Sequence, residues 1–155
     1  MKIDFSKLSA ENEIKGEDEQ ETQEIIRLFE NAKKYITSFA WCPEIINSYM
    51  GIGIGGVVGV FLFKFSEKIN NTDDYLWVIE GDLPSAYLVV DNAPDAVTAL
   101  EIYLKIMEDW AMAILKGKST DNCFPVDAPP DKKHAKMLIK RLRLLRKEII
   151  PNYKF

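Results

Sequence analysis

Histidine is almost missing from this chain. His134 is the only one in 155 residues, and Cys42 and Cys123 are the only cysteines. One imidazole and two distant thiols cannot furnish a zinc set, and there is no CxxC spacing or disulfide-dense framework. Reduced thiols fit a cytoplasmic protein. The aspartates follow no EF-hand pattern, so no metal and no cofactor is expected. His134 lies among Lys132, Lys133 and Lys136, where a solvated surface position is the simple reading. No nucleophile, base and orienting group can be assembled, so no catalytic residue is assigned. The first residues carry no apolar leader before the acids begin, which predicts no secretory signal.

What is present is a folding composition: 47% hydrophobic, 28% charged, with 3 Trp, 6 Tyr and 8 Phe. That suffices for one domain, predicted over 18–155 after a flexible acidic arm at 1–17. The net charge of −4 is unevenly spread. Residues 1–31 hold 9 acids and 4 bases, 32–130 hold 13 and 7, and 131–155 hold 2 and 9.

From Ile45 to Phe63 the chain has 19 uncharged residues in a row, the length of a membrane span. Asn47, Ser48 and five glycines argue against a span, as does the β-branched and aromatic run from Val57 to Phe63, so no membrane helix is expected. Gly51-Ile52-Gly53-Ile54-Gly55-Gly56 spells GxGxxG. A dinucleotide fingerprint must follow a strand and open a helix, and here the order is reversed, so a bulged or closely packed strand is expected.

Asp18 and Glu21 have capping-box spacing, and Ile25, Leu28, Phe29, Ala32 and Ile36 recur at helical intervals, which predicts a first helix. Pro43 is suited to opening a short second helix through Tyr49. Three strands are predicted at 53–65, 75–80 and 86–90 as an antiparallel meander. A long helix follows to about Lys116, stopped by Gly117. After a proline-rich loop a last helix is expected from Asp131 to Ile149, with Ala135, Leu138, Ile139, Leu142, Leu145 and Ile149 as its apolar stripe. The fold class is therefore α+β: one domain with a three-stranded antiparallel sheet packed by N-terminal and C-terminal helices.

Trp41-Cys42 with Glu44, then Gly81-Asp82-Leu83-Pro84 with Tyr87, together with Trp77-Val78-Ile79, Pro94 and Trp110, are the residues of a resemblance. Over about residues 40–115 the chain resembles a family of small uncharacterised bacterial proteins bearing a domain of unknown function. The resemblance implies a bacterial, cytoplasmic α+β domain and no particular activity.

Two surfaces are candidates. Trp41, Cys42, Trp77, Glu80, Asp82 and Tyr87 offer a thiol and paired carboxylates beside aromatics, a set able to bind a polar ligand or move a proton if burial shifts a pKa. Lys136, Lys140, Arg141, Arg143 and Lys147 make the last helix a basic surface for a partner. The helix has no interleaved aromatics for base stacking and the whole chain is acidic, so nucleic acid is not expected. A non-enzymatic interaction module, of the size and acidity of an immunity protein or a regulatory adaptor, is the leading expectation. Its partner would be another protein or a second copy, held by complementary charge. The alternative is a small enzyme or ligand-binding protein using the Cys42 and Asp82 region.

Overall fold

The computed structural model describes residues 3–69 and 73–153. Its contacts group into two compact units, residues 1–99 and 100–155.

The first unit is built on an antiparallel sheet in which strand order follows chain order: β1 (Ser9–Ala10), β2 (Ile45–Ile54), β3 (Val58–Ile69), β4 (Asp73–Gly81) and β5 (Ala86–Val89). Among the described residues the sheet has five strands, not three. The last three match the expected meander, while β1 and β2 lie outside it. Residues 43–49, expected as a helix, instead enter β2, which pairs with β3 from Ile45 opposite Phe65 to Ile54 opposite Val58. Two β-branched residues at its start and glycines at 51 and 53 make a poor helix, and the apolar β3 supplies a full-length partner. The single strand expected at 53–65 is therefore the end of β2, a turn, and β3. Gly56, with φ of +73°, supplies the left-handed residue of that turn.

This hairpin also accounts for the membrane-like run. Among the described residues no helix is long and apolar enough to cross a membrane. The GxGxxG string lies in β2 and its turn, with no helix start beside it. A Cβ on Gly51 would collide with that of Ala96, so here a glycine serves close packing.

Residues 3–17, expected as a loose arm, bury Ile3 and Ile14 and place Ser9 and Ala10 opposite Met50 and Tyr49 of β2. Helix α1 (Glu19–Thr37) starts as expected: the Asp18 carboxylate accepts from the Glu21 N–H at 2.8 Å. Its five expected apolar residues, Ile25, Leu28, Phe29, Ala32 and Ile36, are all buried against Phe61, Phe63, Phe65, Leu76 and Val78 of the sheet. Each large side chain so buried contributes about 1.5–3 kcal/mol. Phe29 meets Phe61 edge-on with ring centroids 5.5 Å apart.

On the other face of β4, Trp77 is fully buried, and its indole N–H donates to the Ala93 carbonyl at 2.8 Å. No buried side-chain nitrogen or oxygen among the described residues lacks a partner.

Helix α2 (Ala96–Leu115) opens with the Asp95 carboxylate accepting from the Thr98 N–H at 2.9 Å. It ends as expected: Gly117 has φ of +68°, and the Lys118 N–H returns to the Ala113 carbonyl at 2.8 Å. Most of α2 lies in the second unit with α3 (Lys132–Leu144), a π-turn at Leu145–Ile149 and α4 (Ile150–Tyr153). The expected uniform helix to Ile149 thus ends in a widened turn, with the Ile150 N–H reaching back five residues to the Leu145 carbonyl. Pro151 explains it, because its ring crowds the carbonyl four residues earlier and it has no N–H to donate. The extra residue rotates the stripe, so Ile150 is buried where Ile149 was expected to be.

Candidate functional site: an aromatic cleft and a basic helix face

After α1 the chain turns through Phe39-Ala40-Trp41 and brings these rings against β5. Trp41 stacks on Phe39 at 5.4 Å with 24° between ring planes. Tyr87 meets Trp41 at 5.3 Å and Phe39 at 5.3 Å, and Tyr35 of α1 closes the cluster from behind. The two motifs of the sequence resemblance, one holding Trp41 and the other Tyr87, therefore converge in space. Tyr87 and Val89 alternate onto the α1 side of β5, because they pair with Val78 and Leu76.

The cluster walls one side of an open cleft of about 310 Å³. Trp41, Pro43, Tyr87 and Val89 line it together with Leu76 and Ile69, and Glu67 and Lys68 stand at its rim. Trp41 remains 43% exposed and Val89 49% exposed, so two large apolar side chains face the opening. Exposed apolar groups that stand together in this way mark a candidate binding surface.

The other predicted members separate from this pair. Cys42 is half-buried, its thiol donating to the Pro43 carbonyl at 3.3 Å, and burial pushes the thiol pKa up. That is the opposite of the electropositive setting that activates a cysteine. Trp77 faces away, locked in the core by Ala93. Glu80 is half-buried near the far end of β4 and accepts from the Ser85 hydroxyl at 2.7 Å. Burial raises its carboxyl pKa, and the Ser85 hydroxyl and the Gly81 N–H partly offset the rise. Asp82 is exposed in the β4–β5 turn, where its N–H donates to the Val57 carbonyl. A Cβ on Gly81 would strike that same carbonyl oxygen, which gives the Gly-Asp-Leu-Pro turn a packing reason. Neither Cys42 nor Trp77, Glu80 or Asp82 lines the cleft. Of the predicted set only Trp41 and Tyr87 do. Leu76, Ile69, Pro43 and Val89 were missed, although Tyr87 and Val89 sharing a strand face was readable from period two.

In the second unit the basic residues occupy the outer side of α3. Lys136, Lys140, Arg143 and Lys147 are exposed, and Arg141 is half-buried. Ala135, Leu138, Ile139 and Leu142 fill the opposite side. Met137 and Leu144, which the helical spacing does not single out, also face solvent, at 41% and 55% exposure. They stand two turns apart on one face, with Lys133, Lys140, Arg141 and Lys147 at the neighbouring three- and four-residue spacings. His134 sits at the start of α3 with its ring nitrogen 2.8 Å from Asp131, the helix N-cap. The His134 N–H holds the Asp131 carboxyl below its usual range. Among the described residues no group of His, Cys, Asp and Glu could hold a metal ion.

No curated protein and no solved structure matches the chain. A family model does, over residues 18–150, and its span takes in α1, the sheet from β2 to β5, α2 and α3. The chain belongs to that family, the domain of unknown function DUF4826.

Proposed function

We propose that the protein is a non-enzymatic interaction module that docks an acidic protein partner on the outer face of α3. The observation that carries this reading is the pair Met137 and Leu144, exposed two turns apart and bordered by cations. A partner helix laid along α3 would cover both side chains at once. The surrounding lysines and arginines would steer an acidic surface onto them and fix its register. Partner contact would then combine a small apolar centre with a charged rim, the anatomy of a reversible interface.

A pull-down of the full chain from its source cells tests the proposal. A partner should be recovered at about 50 mM salt and largely lost at about 500 mM, where screening reaches a few ångströms. The double substitution Met137→Ser and Leu144→Ser should abolish recovery while leaving the circular dichroism spectrum and thermal midpoint unchanged. Equal recovery by that variant would refute the assignment of this face.

A second reading is favoured by one observation, the exposed Trp41 in its cleft: the sheet unit binds a ligand there. The enzymatic form of that reading rests on the Cys42 thiol and the Asp82 carboxyl. The first is held protonated by burial, and neither borders the cleft.

A further inference from the structure

Among the described residues the sheet ends at β5, which pairs with β4 alone. An edge strand offers unpaired N–H and C=O groups, and proteins blunt such edges with shortness, lysine, proline or a bulge; β5, at four residues, is blunted by its length alone. Between Ala86 and Val89 there is no lysine, no proline and no register shift against β4. Instead the edge runs beside the cleft, with Tyr87 and Val89 forming one of its walls. The chain around the edge is mostly acidic, with Lys68 of β3 the one base among the cleft's lining residues. From Asp73 to Asp95 there are six acids, at 73, 74, 80, 82, 91 and 95, and not one lysine or arginine.

Two of these acids are pressed together at the end of the strand. The pairing of Leu76 with Val89 carries the start of β4 alongside residue 91, which brings Asp73 close to Asp91. That contact, with burial and the nearby charges of Asp91 and Asp74, raises the Asp73 carboxyl pKa. Two carboxylates in contact repel unless a proton or an incoming cation lies between them. Lys64 is directed at Asp74, at 4.0 Å.

From these features we infer that β5 is a docking edge for an extended, basic segment of another protein. The segment adds as a sixth strand, sets an apolar side chain into the Trp41–Val89 cleft, and places a lysine or arginine on the Asp73 and Asp91 carboxylates. Main-chain bonds to β5 supply affinity, and the alternation of apolar and basic side chains supplies selectivity. An arginine suits the carboxylate pair best, since its planar fork can bond both. The chain's own basic region is helical over Lys132–Leu144, so it does not present a strand of this kind. This edge is independent of the α3 face, and either assignment can fail without the other.

The test uses the full chain and blocked six-residue peptides that alternate arginine with valine. Titration followed by tryptophan fluorescence and calorimetry should give saturable binding. The matching peptide of glutamate and valine should bind at least about tenfold more weakly. Methylating backbone nitrogens on one edge of the peptide should weaken binding about tenfold, and methylating the other edge should not. The double variant Asp73→Asn and Asp91→Asn removes both charges while keeping side-chain size, and should fold normally while losing about threefold to tenfold in affinity. Val89→Lys should abolish binding, with an unchanged circular dichroism spectrum as its folding control. Absence of binding, equal binding of the acidic peptide, or insensitivity to both methylation patterns would overturn the inference. So would self-association of the free chain that the peptide fails to disrupt, since the edge would then serve a second copy.

Discussion

The sheet unit contains two tryptophans in opposite situations. Trp77 is fully buried, and its one polar atom is satisfied by the Ala93 carbonyl. Trp41 lies 43% open to solvent, held by ring contacts with Phe39 and Tyr87. Burial of the whole ring makes Trp77 part of what holds the fold together, whereas the free face of Trp41 remains available for something else to cover. In the sequence the two belong to one candidate set of aromatics and polar groups. The difference shows that an aromatic residue points to function only when the fold leaves part of it uncovered.

The largest effect that can test this contrast is on stability. Trp77→Ala should cost about 3–5 kcal/mol, enough to unfold a marginal domain, while Trp41→Ala should cost no more than ~1 kcal/mol. Urea unfolding of both variants checks it, and equal losses would erase the distinction. The indole bond is separable from the ring volume. Trp77→Phe leaves the Ala93 carbonyl without its donor and should cost about 1–3 kcal/mol.

Gly81→Ala extends the comparison to the turn that carries Tyr87 toward Trp41. Its methyl would meet the Val57 carbonyl, so a loss of about 1–3 kcal/mol is expected, with a shift in acrylamide quenching of Trp41 as the turn moves. In the native protein quenching should reach Trp41 and spare Trp77.

The smallest expected effect concerns Glu80, on the strand that also holds Trp77. Burial raises its carboxyl pKa above the unfolded value, so its contribution to stability is full below that unfolded value and is lost as pH rises through the folded one. Ser85→Ala removes a donor that lowers the pKa, and should move the loss to higher pH with a change under ~1 kcal/mol. Urea midpoints between about pH 4 and pH 7 report it, in the range where carboxyl groups titrate. A variant whose pH profile overlays the native one would show that the Ser85 bond does not hold the ionised carboxylate.

Much of the helical structure was legible in advance because its signals are local. The Asp18 cap and the spacing from Ile25 to Ile36 located α1, and Gly117 marked the end of α2. The stripe of α3 was read correctly up to Leu145, where the π-turn before Pro151 displaced it. Strand β2 was not legible, since Pro43 suggests a helix start and the partner strand that overrides it lies beyond a turn. The candidate site was half legible. Trp41 and Tyr87 were named, but the cleft also depends on Pro43, Ile69, Leu76 and Val89, which meet only when four segments distant in sequence come together.

The sequence by itself determined the elements that depend on near neighbours: helix caps, apolar periodicity, the meander of β3 to β5, the acidic composition of residues 73–95 and the basic last helix. Tertiary structure decided the rest. It chose a hairpin over a membrane-like helix, put Trp77 in the core and Trp41 at a cleft, and left Met137 and Leu144 in solvent. These outcomes turn on which surfaces cover which, and burial is a property of distant segments packed together that no local window of residues contains.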